Sequence, residues 1–206
     1  MHPYFSLQGR TALVTGGTRG IGKMIAKAYV EAGATVYVCS RDAEACQQTA
    51  DELSALGRCH GVAANLATEA GVQQLATRLG QQITHLDILV NNAGTTWGAP
   101  LESYPVKGWE KVMQLNVTSV FNCIQQFLPL LRKAGSAANP ARIINIGSVA
   151  GIFVLRRTGL RLWAEQGSAA SIVADSGART GGSAHQRQRD CTRTVSEQDD
   201  PAYRER

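Results

Sequence analysis

Thr15-Gly-Gly-Thr-Arg-Gly-Ile-Gly22 is the stretch of this chain whose residue types and spacing most plainly ask for a chemical role. It follows the short apolar run Thr11–Thr15 and precedes a segment of helical periodicity, the setting in which a glycine loop can bind phosphates. Gly16 permits a tight turn, Gly20 lets the backbone approach a pyrophosphate, and Gly22 lets the following helix pack close to the sheet. Thr18, Arg19 and Ile21 fill the loop between them. Phosphates would rest on the helix N-terminus, where unpaired N–H groups and the helix dipole favour anions. No Gly-Lys-Ser/Thr follows, so the loop is not a P-loop.

The next apolar run, Thr35–Cys39, ends in Ser40 and Arg41. A site for NAD wants an acid there to accept from the ribose hydroxyls; an arginine suits a 2′-phosphate. Arg19 in the loop is a second cation for the same group. Taken singly, each arginine also fits a solvated surface charge; together they favour NADPH. Asn91-Asn92-Ala93-Gly94 closes another apolar strand, Asn116 lies on a long helical segment, and Ser148 follows a further strand. A buried amide tying helix to strand would equally explain Asn116, and a turn or helix cap would explain Ser148.

These residues need a frame that gathers them. Thr11–Thr15, Thr35–Cys39, His60–Ala64, Leu86–Val90 and Arg142–Ile146 read as strands, the third being weak. Between them lie helical stretches over 20–32, from an Asp42 cap to about Leu56, over 69–82, and one long helix over 107–133 entered through Pro105. In the first helix Ile21, Ile25, Ala28 and Tyr29 fall at helical spacing. Apolar strands alternating with helices imply an α/β fold with a doubly wound parallel sheet of Rossmann type, covered on both faces.

In combination these motifs resemble the short-chain dehydrogenase/reductase family over about residues 7–152. The opening Met-His-Pro-Tyr-Phe-Ser-Leu and the stretch from Trp97 to Pro105 are similar to its NADPH-dependent 3-oxoacyl-acyl-carrier-protein reductases. The resemblance implies an NADP cofactor and a 3-oxoacyl thioester substrate on acyl carrier protein. Gly16, Arg19, Ile21 and Gly22 would then line the pyrophosphate and ribose, and Asn92, Ala93 and Gly94 the cofactor floor. Asn65 and Leu66 fall where the family has an acid beside the adenine, with Asn65 in the acid's place. The resemblance gives Asn116 a part in holding a proton-relay water and lets Ser148 hydrogen-bond the substrate carbonyl. It implies homo-oligomers for intact relatives.

The family also uses a tyrosine as proton donor, with a lysine four residues later. Leu162 and Gln166 stand in those places; the next tyrosine is Tyr203, and no lysine follows Lys133. From 153 onward all nine cations are arginine, and beyond Val173 the only sizeable apolar residues are Val195 and Tyr203. Such a stretch buries too little surface to offset its ordering entropy. Codons compatible with Gly159–Gly167, read from the second base, give Ala-Tyr-Ala-Tyr-Gly-Pro-Ser-Lys, which carries the family's Tyr-x-x-x-Lys. His185–Arg193 treated the same way gives Ile-Asn-Val-Asn-Val-Ile-Ala-Pro-Gly, which resembles its sixth strand. A one-base insertion near codon 153 accounts for both.

The expected organisation is therefore an incomplete nucleotide-binding domain over 1–152 and an irregular tail over 153–206, with at most a short helix near 160–173. As written, the chain is expected to be a reductase by family with little or no turnover, or else a non-catalytic NADP-binding remnant. An open apolar surface at Phe121, Ile124 and Phe127 predicts aggregation.

Composition narrows the rest. A chain of 206 residues, 44% hydrophobic and 18% charged, builds one core and is neither a disordered tail nor a coiled coil. No apolar run approaches the ~20 residues that cross a bilayer. The opening residues carry no signal-like region, so a cytoplasmic protein is expected. Five cysteines without ligand spacing read as free thiols and exclude a metal cluster. The net charge of +5 and the arginines of the tail raise nucleic acid as a partner, but interspersed acids argue against it.

Overall fold

The computed structural model describes residues 5–148 apart from Ala138. The readings placed on the tail, including Leu162, Gln166 and the helix near 160–173, lie outside the described residues.

Five strands form one parallel sheet: β1 (Thr11–Thr15), β2 (Thr35–Ser40), β3 (Arg58–Ala63), β4 (Ile88–Asn91) and β5 (Arg142–Asn145). Their spatial order is β3-β2-β1-β4-β5. The chain winds outward from β1 to β3, returns across the sheet to β4 beside β1, and continues to β5. This is the doubly wound arrangement expected from the alternation of apolar strands and helices. Its direction reverses between β1 and β4, and the crevice outside the strands' carboxyl ends at that point is where such sheets bind ligands.

Helices α1 (Gly20–Glu31) and α2 (Ala43–Ser54) cover one face; α3 (Glu69–Gln82) and α5 (Ser119–Ala134) cover the other. The first face buries Val14, Val36, Val38 and Val90 against Ala26, Val30, Ala50 and Leu53. The second buries Leu13, Tyr37 and Leu89 against Leu75, Leu79, Cys123 and Phe127. Alternate residues of each central strand serve the two faces, so these strands carry no polar side at all. Asp42 caps α2 by accepting from the Ala45 N–H at 3.0 Å, and Thr68 caps α3 by accepting from the Gly71 N–H at 3.1 Å.

Several expectations shift. The third strand begins at Arg58, because it runs in register beside β2 from Thr35↔Arg58 onward. The fourth begins at Ile88, because Asp87 is held just ahead of it. The Asp87 carboxylate pairs with Arg10 at 2.7 Å and accepts from the Thr11 N–H at 2.8 Å. In α1 the buried positions are Gly22, Ala26 and Val30, with Ile25 and Tyr29 packed beside them, while Ile21 is 61% exposed.

The long helix over 107–133 is interrupted. It consists of α4 (Val106–Met113), a π turn at Gln114–Thr118, and α5. Helical periodicity conceals one added residue, and such turns recur at functional sites. The surface expected at Phe121, Ile124 and Phe127 is also corrected. Phe127 is wholly buried in the second core and Ile124 packs against it, while Phe121 is 53% exposed. No described helix is long and apolar enough to cross a membrane.

Candidate functional site

The site collects at the carboxyl rim of the sheet. Thr15, the last residue of β1, is buried, and its hydroxyl ties three segments together. It accepts from the Asn92 N–H at 2.9 Å and the Ala93 N–H at 3.0 Å, and it donates to the Val90 carbonyl at 3.2 Å. Asn92 answers from the loop after β4: its Nδ2 donates to the carbonyls of Thr15 at 2.9 Å and Gly16 at 3.1 Å. The loop after β1 and the loop after β4 are thereby locked across the switch point. Thr15 was not singled out in the sequence, since nothing there shows that its hydroxyl faces another strand.

Within the glycine loop, Gly16 has φ +63° and Gly20 has φ +51°, in the left-handed region that favours glycine. A Cβ at Gly22 would lie 2.2 Å from the Gly16 carbonyl oxygen and 2.4 Å from Asn92 Nδ2. Helix α1 thus starts in direct contact with the loop and with Asn92. A Cβ at Gly20 would meet nothing within 4 Å, so the loop leaves open space at the start of α1. That helix start has no side-chain cap and no acid in its first turn, unlike α2 and α3. Open space beside bare N–H groups at a helix N-terminus fits a phosphate group. Arg19 precedes the helix and is exposed, and Thr18 accepts a long hydrogen bond from the Thr49 hydroxyl of α2 at 3.5 Å. Exposed Ile21 offers an apolar surface at the mouth of the loop.

Ser40 and Arg41 lie at the end of β2, beside the loop's strand. Arg41 is exposed; among the described residues neither its guanidinium nor that of Arg19 forms an ion pair. Ser40 accepts from the Asp42 N–H at 3.2 Å and donates to the Asp42 carbonyl at 3.1 Å. After β3, Asn65 Oδ1 accepts from the Ala67 N–H at 3.2 Å, which leaves a second lone pair for a ligand amino group. Leu66 places its side chain in the core, so a ligand there would meet only its backbone.

Asn116 lies in the π turn. Its Oδ1 accepts from the Thr95 N–H and its Nδ2 donates to the Thr95 carbonyl, both at 2.9 Å. The side chain therefore clamps the loop that leaves Gly94, and a relay water would have to use the main chain of the turn. Ser148 is half-buried, three residues beyond β5 on the same rim. One buried feature went unforeseen: Asn91 and Asn145, register partners on β4 and β5, share a hydrogen bond from Asn91 Nδ2 to Asn145 Oδ1 at 2.7 Å. The remaining amide atoms, Asn91 Oδ1 and Asn145 Nδ2, have no partner among the described residues.

Four described cysteines, Cys39, Cys46, Cys59 and Cys123, are free and buried. Burial pushes the Cys59 thiol up to about 11 and the Cys123 thiol to about 12. Cys39 is raised further, by burial and then by the nearby Cys46 and Cys123. Cys39, Cys59 and Cys123 are thereby kept as neutral thiols, which are poor nucleophiles. Among the described residues no three His, Cys, Asp or Glu side chains are placed to hold a metal ion.

Residues 10–159 match the short chain dehydrogenase family. The chain belongs to that family. Within it, the chain is 70% identical over 152 residues to the rhamnolipids biosynthesis 3-oxoacyl-[acyl-carrier-protein] reductase of Pseudomonas aeruginosa, covering 74% of this chain and 59% of that protein. It is 36% identical over 147 residues to the 3-oxoacyl-[acyl-carrier-protein] reductase FabG of Aquifex aeolicus, covering 70% of this chain and 58% of that protein. It thus spans less than two thirds of either relative. Among solved structures, the Pseudomonas aeruginosa RhlG/NADP active-site complex superposes with a TM-score of 0.83 at 61% identity, over 85% of this chain and 69% of that one. This member of the short-chain dehydrogenases therefore keeps the family's switch-point architecture in its described residues.

Proposed function

We propose that the chain carries the cofactor half of an NADPH-dependent reductase of 3-oxoacyl thioesters, and that in its present form it binds NADPH without completing the reduction. The observation that carries the cofactor reading is the uncapped start of α1, with open space at Gly20, flanked by Arg19 and Arg41, which form no ion pair among the described residues. The 70% identity to a 3-oxoacyl-[acyl-carrier-protein] reductase supports the substrate class and a carrier-borne acyl group.

In this reading the first-turn N–H groups of α1 and Arg19 bind the pyrophosphate. Ser40 and Arg41 bind the 2′-phosphate, Asn65 meets the adenine, and Asn92, Ala93 and Gly94 floor the site. NADPH, when bound, supplies a hydride to the ketone carbon. The Ser148 hydroxyl donates to the carbonyl oxygen, where negative charge develops, and so stabilises it. Asn116 holds the Gly94–Thr95 loop in place through its two hydrogen bonds, and the resemblance adds a relay water at its turn.

The remaining requirement is a group that delivers a proton to that oxygen. Serine alone, with an unperturbed hydroxyl, is a poor acid at neutral pH. With Leu162 and Gln166 where the family has tyrosine and lysine, that proton has no donor of the family's kind. We attribute the substitution to a one-base insertion near codon 153, which also explains the arginine-rich composition that follows.

The test measures NADPH binding by fluorescence and NADPH oxidation with a 3-oxoacyl thioester, on this chain and on one with the reading frame restored. Saturable binding by both, with turnover only in the restored chain, is the expected result. A folded chain that does not bind NADPH overturns the cofactor reading. Turnover by the present chain near that of the restored one overturns the proposed loss of activity.

A further inference from the structure

We propose that Cys46, which the cofactor reading leaves without a role, is a positioning residue: it makes the Ser40 hydroxyl a dedicated hydrogen-bond donor and so favours a 2′-phosphate over a free ribose hydroxyl. The inference rests on the NADPH reading above.

Cys46 lies in the first turns of α2 and is 2% exposed. Its thiol reaches three acceptors: the Ser40 hydroxyl oxygen at 3.2 Å, the Val62 carbonyl at 3.6 Å and the Ser40 carbonyl at 3.8 Å. The seat is tight because of Gly61 on β3. A Cβ there would lie 2.4 Å from the Cys46 carbonyl oxygen and 3.1 Å from its Cβ. Helix α2 therefore rests on bare backbone, and the sulfur is held against the end of β2 instead of turning outward.

A serine hydroxyl has one proton to give and two lone pairs to receive with. The Asp42 N–H occupies one lone pair, at 3.2 Å. Either partner in the Ser40–Cys46 contact can be the donor. The thiol has one proton for its three oxygen neighbours; given to the nearest of them, the Ser40 hydroxyl, it fills the second lone pair as well. Ser40 can then only donate, and without ligand its proton goes to the Asp42 carbonyl at 3.1 Å. A phosphate oxygen, which accepts and carries charge, can take that proton in a strong charge-assisted bond. A neutral ribose hydroxyl gains less from a partner that cannot accept from it. Removing the thiol frees a lone pair, lets Ser40 accept from the ribose, and erodes the distinction. Arg41 supplies attraction for the phosphate; Cys46 sets the direction of the hydrogen bond beside it.

The experiment compares dissociation constants for NADPH and NADH on the full chain and its variants, with folding followed by circular dichroism. The two ligands share every group except the 2′-phosphate, so their ratio isolates that contact. Cys46→Ala is expected to reduce the preference for NADPH about fivefold, the worth of one modest hydrogen bond. Cys46→Ser, which keeps a donor, is expected to retain the preference. In a Ser40→Ala background, Cys46→Ala is expected to change the ratio no further. An unchanged ratio in Cys46→Ala, equal losses for both ligands, or a Cys46→Ser variant as impaired as the alanine each overturn the proposal. A parent chain that binds NADPH no better than NADH overturns the cofactor reading first, and this inference with it.

Discussion

Thr15 shows how much of the site's rigidity one hydroxyl can carry. Two backbone N–H groups on the β4 side depend on it. Thr15→Val keeps the shape and removes the acceptor, so it should destabilise the fold by about 2 kcal/mol, the cost of part-buried donors left unpaired. Urea unfolding against the parent chain measures this. At Gly22 the issue is space. The atom that a Cβ would meet at 2.2 Å is a backbone oxygen, which cannot swing aside as a side chain would. Gly22→Ala should therefore lift α1 off the loop, costing about 1–3 kcal/mol and, with it, NADPH affinity. Fluorescence titration alongside thermal melting separates the two effects. The glycines were legible in the sequence because their spacing follows from the turn, the phosphate approach and the helix contact. Thr15, Cys46 and the Asn91–Asn145 pair were not. Their partners lie on other elements, and no periodicity announces a contact between a hydroxyl on β1 and the loop after β4.

At the scale of elements, the strands were readable because a sheet buried on both faces writes itself as apolar runs. Their ends were less so. Asp87 looked like part of a strand, yet its ion pair with Arg10 places it just outside. In α1 the spacing of Ile21, Ile25, Ala28 and Tyr29 marks a helix without naming its innermost stripe, which is Gly22, Ala26 and Val30, the residues a close helix–sheet contact accommodates. The π turn was invisible, since one extra residue leaves the apolar spacing of a long helix nearly intact. Its anchor is Asn116, and the consequence is local. Asn116→Leu should free the loop from Thr95 onward at a cost of about 1–2 kcal/mol, for two hydrogen bonds lost. Limited proteolysis should then cut within residues 95–100 faster than in the parent, while the glycine loop stays protected.

For the whole molecule, the buried thiols link stability to alkaline pH. Cys59 is held up to about 11 and Cys123 to about 12, against an ordinary value of 9.0. Above pH 9 the unfolded chain loses these protons while the folded chain keeps them, so the stability they add is full below pH 9 and falls as pH rises toward 12. The slope should approach 1.4 kcal/mol per pH unit for each such thiol. Denaturant titrations at pH 8, 9 and 10 on the parent and on Cys59→Ala should show a shallower decline in the variant. The exposed Val106, Trp109 and Phe121 of the α4–α5 stretch are a separate liability. Phe121→Glu is expected to lower self-association, read by sedimentation velocity, without altering NADPH binding.

The Arg10–Asp87 pair lies at the amino rim of the sheet, with four residues of β4 between it and the loop that begins at Asn92. Anchorage and ligand capture are thereby lodged at opposite poles. An engineer could strengthen or loosen the first clasp and shift the melting temperature while the coenzyme isotherm stays where it was. Drift over generations would enjoy the same licence.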